Sequence, residues 1–168
     1  MRRTWILGMA LLAAPLLVGG VARADSITCT GVGTCLGTGG ADTLTGGASG
    51  DDMVGLAGAD RLVGRGGADL MAGAEGNDTL RGGPGNDTMD AGTGADLLIG
   101  GRGADTIEAR DVAAPFGVDT IKGGAGNDSI NTVDRVKDIV DCGAGEDLIE
   151  FDAKLDTLTN CEVEPPRV

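Results

Sequence analysis

Eight aspartates recur at one interval: Asp42, Asp51, Asp60, Asp69, Asp78, Asp87, Asp96 and Asp105, each nine residues after the last. Carboxylates catalyse when two face each other across a substrate cleft, and they hold hard cations when several oxygens converge. The residues around each aspartate decide between these chemistries. Two residues after them stand Leu44, Met53, Leu62, Met71, Leu80, Met89, Leu98 and Ile107, all large aliphatics. Two residues before each stands glycine, with Ser49 as the exception. The unit reads G-G-x-G-x-D-x-U-x, where U is the aliphatic, and "GGPGNDTMD" at residues 82–90 is a full copy. Its places are numbered one to nine below.

The elements that must position these aspartates follow from the unit. Its first six residues are too rich in glycine for a helix or a strand interior and are predicted to turn. The last three, x-U-x, form a short strand that points U to one face and its neighbours to the other. Two such rows, 18 residues, complete one coil. The predicted fold is all-β: a right-handed parallel β-roll, a solenoid with two rows per coil. Coils stack at about 4.8 Å, the strand spacing. The U residues of the two sheets meet in a thin aliphatic core, where methionine fills irregular gaps.

Stacking then aligns the aspartates into two columns. Asp42, Asp60, Asp78 and Asp96 form one, and Asp51, Asp69, Asp87 and Asp105 the other. Carboxylates about 5 Å apart repel unless a cation lies between them. Glycine turns also offer backbone carbonyls. An all-oxygen site with six or more donors suits Ca²⁺ better than Mg²⁺, which demands strict octahedral geometry. Zinc is disfavoured, because the chain has no histidine and its cysteines stand elsewhere.

The rows resemble the RTX, or hemolysin-type, calcium-binding nonapeptide repeats. "GGPGNDTMD", "GAEGNDTLR", "GGRGADTIE" and "GGAGNDSIN" carry the resemblance, which extends over residues 37–159. It implies a parallel β-roll with Ca²⁺ between turns two rows apart. It implies that the sixth-position aspartates of both turns bind and that turn carbonyls complete the shell. Carried over by residue, the metal ligands are Asp42, Asp51, Asp60, Asp69, Asp78, Asp87, Asp96 and Asp105, then Asp119 and Asp128. The eight regular rows imply about six sites. Asp138 and Asp156 lack the glycine turn, so the role is not carried to them. Asp147, in "CGAGED", is a marginal match. A five-residue insertion, "ARDVA" at 109–113, separates Asp96 from Asp119 and Asp105 from Asp128. Spacing alone therefore does not carry the stacking across those two pairs.

The remaining features set the context. Residues 1–24 have a basic start, an apolar run and a small-x-small end at Ala22-Arg23-Ala24, the pattern of a secretory signal peptide. The run is too short to span a membrane, so cleavage after Ala24 and a secreted, extracellular protein are expected, with no membrane span. That segment carries Arg2, Arg3 and Arg23 and no acid, so its loss takes the net charge from −13 to −16. Such acidity argues against nucleic acid as a partner. Residues 25–36 are expected to cap the roll, 37–131 to form it, and 132–168 to hold degenerate repeats and a second cap. Thirteen rows are countable. Cys29 and Cys35 are expected to pair at one end and Cys142 and Cys161, one coil apart, at the other. Free thiols and other pairings stay open at this point.

No histidine and no Gly-x-Ser-x-Gly element is present, and no aromatic platform for substrate is visible, so a non-catalytic protein is expected. Asn77, Asn86 and Asn127 open glycosylation triplets, but each middle residue is an aspartate of the columns. Calcium ions are the partner expected. The alternative reading is an adhesive, surface-binding scaffold that calcium merely stiffens. An ice-binding version needs a regular threonine array. The seventh positions break it with Arg61 and Leu97 on one sheet and with Asp52 and Leu70 on the other.

Overall fold

The computed structural model describes residues 23–30, 33–111 and 113–162. The expected signal segment lies outside these except for its last two residues. Each nine-residue row delivers one strand, and successive rows alternate between two sheets. The first sheet contains β1 (Ser26–Thr28), β3 (Thr43–Thr45), β5 (Arg61–Val63), β7 (Thr79–Pro84), β9 (Leu97–Arg102), β11 (Thr120–Ala125), β13 (Ile139–Ala144) and β15 (Thr157–Thr159). The second contains β2 (Thr34–Leu36), β4 (Asp52–Ala57), β6 (Leu70–Glu75), β8 (Thr88–Thr93), β10 (Thr106–Glu108), β12 (Ser129–Asn131) and β14 (Leu148–Glu150). All pairings are parallel, each strand bonding to the one two rows away. No helix occurs among the described residues. The chain is a β-solenoid, as its period requires.

The register places like on like. Leu44, Leu62, Leu80 and Leu98 align in one sheet, followed by Ile121, Val140 and Leu158. Met53, Met71 and Met89 align in the other, followed by Ile107, Ile130 and Ile149. The eight aliphatics of the regular rows are fully buried. Both cysteine pairs close, Cys29–Cys35 with Cα atoms 5.6 Å apart and Cys142–Cys161 with 5.0 Å. They staple the first and last coils.

Three details depart from the sequence reading. Seven strands run six residues rather than three. Positions one to three continue the parallel pairing, because the turns of adjacent coils follow the same path. The Gly85 N–H, for example, donates to the Arg102 carbonyl at 2.8 Å. Second, winding begins earlier than thirteen rows allow. β1 and β2 pair with β3 and β4, so residues 25–36 form two further rows. In the second of these Gly33 stands where the repeat has aspartate, and Cys35 takes the place of an aliphatic. Third, the insertion does not shift the register. Leu98 still pairs with Ile121, and Ile107 with Ile130. Ala109 keeps its place, donating to the Asn131 carbonyl at 2.9 Å. Gly117 lies directly against the Gly94 backbone. The extra residues therefore fall between Asp111 and Gly117, not at 109–113, and they leave Phe116 exposed.

The turns set strict local demands. Gly85 has φ +143°, and a Cβ there would overlap the Gly67 carbonyl of the coil before. Position two is less uniform. Leu56, Arg65 and Ala74 hold φ of 85°, 77° and 81° where other rows have glycine. A left-handed non-glycine residue costs about 1–3 kcal/mol. Ala74→Gly should therefore raise stability by roughly 0.5–1 kcal/mol, and Gly85→Ala should lower it by about 1–3 kcal/mol. Urea midpoints of the two variants in calcium check both signs.

Candidate cation-binding columns

The strand pairing carries every sixth-position aspartate onto the one in the next coil. Each backbone N–H reaches along its column to a carboxylate. The Asp42 N–H donates to Asp60 Oδ1, Asp60 to Asp78, and Asp78 to Asp96, each at 2.7 Å. Across the insertion the Asp96 N–H donates to Asp119 Oδ1 at 2.8 Å. In the second column Asp51 reaches Asp69 at 2.8 Å, Asp69 reaches Asp87 at 2.9 Å, and Asp87 reaches Asp105 at 2.8 Å. Asp105 then reaches Asp128 at 2.9 Å. All ten aspartates singled out in the sequence thus stand in two unbroken columns, and all ten are buried.

The columns also take in residues to which the sequence reading gave no role. Asp119 N–H donates to Asp138 Oδ1, and Asp138 N–H to Asp156 Oδ1. Asp128 N–H donates to Asp147 Oδ1. At the other end Asp25 N–H donates to Asp42 Oδ1. Missing glycines hid Asp138 and Asp156. The surviving signal was an aliphatic two residues on, Val140 and Leu158, which is all that strand stacking requires.

The second oxygen of these carboxylates has a different fate. Oδ2 of Asp60, Asp69, Asp78, Asp87, Asp96, Asp105, Asp128, Asp138 and Asp147 is buried and accepts no hydrogen bond. Toward the N-terminal end the protein itself supplies donors. Asp42 Oδ2 accepts from the Thr38 N–H and hydroxyl, and Asp51 Oδ2 accepts from the Gly47 N–H. Six of these orphan oxygens, those of Asp60, Asp69, Asp78, Asp87, Asp105 and Asp128, lie inside their own turns against the position-one glycine. At Gly73 a Cβ would overlap Asp78 Oδ2 and stand 2.5 Å from the Ala91 carbonyl of the next coil. Bare glycine keeps this space open and lined with oxygen. Among the described residues no three acidic, cysteine or histidine side chains converge. A cation here would therefore take carboxylates from the column and fill its shell with turn carbonyls. The donor set fits Ca²⁺.

Burial also sets the proton affinity. Burial pushes Asp119 up to about 8, Asp96 and Asp138 to about 7, and Asp69, Asp78 and Asp105 to about 6. Asp60, Asp87 and Asp128 are raised as well. The N–H bond from the previous coil opposes the shift in every case, and nearby carboxylates add to it for all but Asp87. A carboxyl whose folded pKa exceeds its unfolded value of about 3.9 favours folding when protonated. That contribution is complete below about pH 4 and is lost as pH rises toward the folded values. The metal-free chain should therefore gain strand structure when acidified from pH 8 to pH 4. Circular dichroism in chelator reads this directly, and a loss of strand signal over that range would contradict the assignment.

The RTX calcium-binding nonapeptide repeat family matches the chain in four copies, at residues 36–71, 46–80, 72–107 and 116–132. No curated protein and no solved structure matches it. The family matches cover residues 36–107 without a break and resume beyond the insertion, more than half of the 168 residues. Repeats of this family bind Ca²⁺. The chain belongs to the RTX calcium-binding nonapeptide repeat family and is a calcium-binding repeat protein built as a β-solenoid.

Proposed function

We propose that this protein is exported and winds into its solenoid on binding Ca²⁺, without catalysing a reaction. The carrying observation is the set of nine buried, unpartnered Oδ2 atoms. An ionised oxygen buried without a partner costs several kcal/mol or titrates to neutrality. Cations between coils remove that penalty along a whole column at once. The ligands in this reading are Asp42, Asp51, Asp60, Asp69, Asp78, Asp87, Asp96, Asp105, Asp119 and Asp128, with turn carbonyls. Asp138 and Asp147 extend the columns on the same ground. Asp42 and Asp51, already supplied with donors by their own turns, would close the ends. Binding to the wound form alone makes metal affinity a folding free energy.

Export fits the ends of the chain. Cleavage after Ala24 would leave an α-ammonium on Asp25, whose nitrogen already donates to Asp42 Oδ1. That positive charge would cap a column of carboxylates. Two disulfides suit an oxidising compartment, where Ca²⁺ is abundant and affinities of about 10⁻⁴–10⁻³ M suffice.

Titration with Ca²⁺ from a chelated start should raise the strand signal cooperatively, and Mg²⁺ at equal ionic strength should not. Asp87→Asn, which weakens two neighbouring coil contacts at once, should move the calcium midpoint several-fold upward. A chain as fully wound in chelator as in calcium at neutral pH would overturn this reading. For export, N-terminal sequencing of protein from the culture medium should begin at Asp25. Recovery of the intact leader would refute the cleavage.

A further inference from the structure

The outer faces of the two sheets carry opposite charge. On the first sheet Arg61 of β5, Arg81 of β7 and Lys122 of β11 project outward and are exposed, with one acid, Asp141, on β13. None of the three cations forms an ion pair among the described residues. On the second sheet Asp52 of β4, Asp90 of β8, Glu108 of β10 and Glu150 of β14 project outward. The outward positions of that sheet contain no basic residue; at its margin Arg110 pairs with Glu108 at 2.9 Å. In a chain of net charge −13 a basic face is unexpected.

The two sets also share a spacing. Arg81 and Lys122 stand in one ninth-position row, two strands apart, while Arg61, at a seventh position, lies on the strand beside Arg81 but two residues along from that row. Asp90, Glu108 and Glu150 stand in one ninth-position row, Glu150 two strands beyond Glu108, and Asp52 occupies a seventh position two strands before Asp90. Both sheets repeat at the same strand spacing of about 4.8 Å, so the interval of about 10 Å between Arg81 and Lys122 coincides with that between Glu108 and Glu150. Aliphatics flank the charges on both faces, including Leu97 and Ile139 on the first and Leu70 and Leu148 on the second.

We infer that the basic face of one solenoid docks on the acidic face of a second copy of this chain. The contact is heterologous, so it does not close, and it leads to stacks rather than a defined dimer. A strip three residues wide is small beside the roughly 800 Å² per partner of a stable complex. Association is therefore weak, concentration-dependent and sensitive to salt. This goes beyond calcium binding and needs only the wound form.

Sedimentation of the full mature chain in Ca²⁺ tests it, with circular dichroism alongside to report winding separately. In about 0.02 M salt the average mass should rise with concentration beyond that of a dimer, and in about 0.5 M salt it should return to the monomer. One variant, R61E/R81E/K122E, makes both faces acidic; another, D52K/D90K/E108K/E150K, makes both basic. Each alone should remain monomeric while wound, and mixing them should restore association. A wild-type chain that stays monomeric in low salt while wound overturns the proposal. So does association that either variant retains, or a mixture that stays monomeric, which would leave an anionic polymer or surface as the occupant of the basic face.

Discussion

A parallel winding must place identical side chains on top of one another, and here the side chain at the tightest point of the turn is a carboxylate. Stacking is therefore both the source of the fold's regularity and its main electrostatic penalty. One oxygen of each carboxylate is satisfied by the neighbouring backbone, as in the bond from the Asp69 N–H to Asp87 Oδ1. The other oxygen has no protein partner over most of both columns. With one aliphatic per row, the core is too thin to absorb that penalty. Regularity and penalty thus have the same origin, the pairing of strands two rows apart.

The glycines belong to the same constraint. At position one they leave room for the aspartate oxygen and the next coil's carbonyl, and at position four they allow a φ no other residue adopts cheaply. The chain has exceptions: Ser49 stands at position four, and Leu56, Arg65 and Ala74 sit in left-handed geometry at position two. The degenerate rows give up the glycine turn yet keep the strand, and Asp138 is still held in its column by the Asp119 N–H. What propagates along the molecule is strand pairing, and the turns adapt to it.

Winding also separates charge between surfaces. The columns lie along the turns, and the sheet faces are left to carry whatever the seventh and ninth positions bring. Those positions do not belong to the repeat, which is why one face is basic with Arg61, Arg81 and Lys122 and the other acidic. The disulfides act at the remaining exposed places, the first and last coils, where a row has a neighbour on one side only. The ends are thus held covalently and the middle by strand pairing on both sides.

The sequence by itself determined the period, the two-row coil, the alignment of aliphatics and the identity of the ten column aspartates. Each follows from a nine-residue repeat whose chemistry is local to the row. Tertiary structure decided what depends on neighbouring coils. It kept Asp96 under Asp119 across the insertion, because strand pairing holds register while extra residues bulge outward. It brought Asp25 and Asp138 into the columns although their rows lack the glycines. It also decided which oxygen of each carboxylate is satisfied and which is left without a partner. No repeat pattern encodes that difference, since Oδ1 and Oδ2 become distinct only when the next coil's N–H arrives.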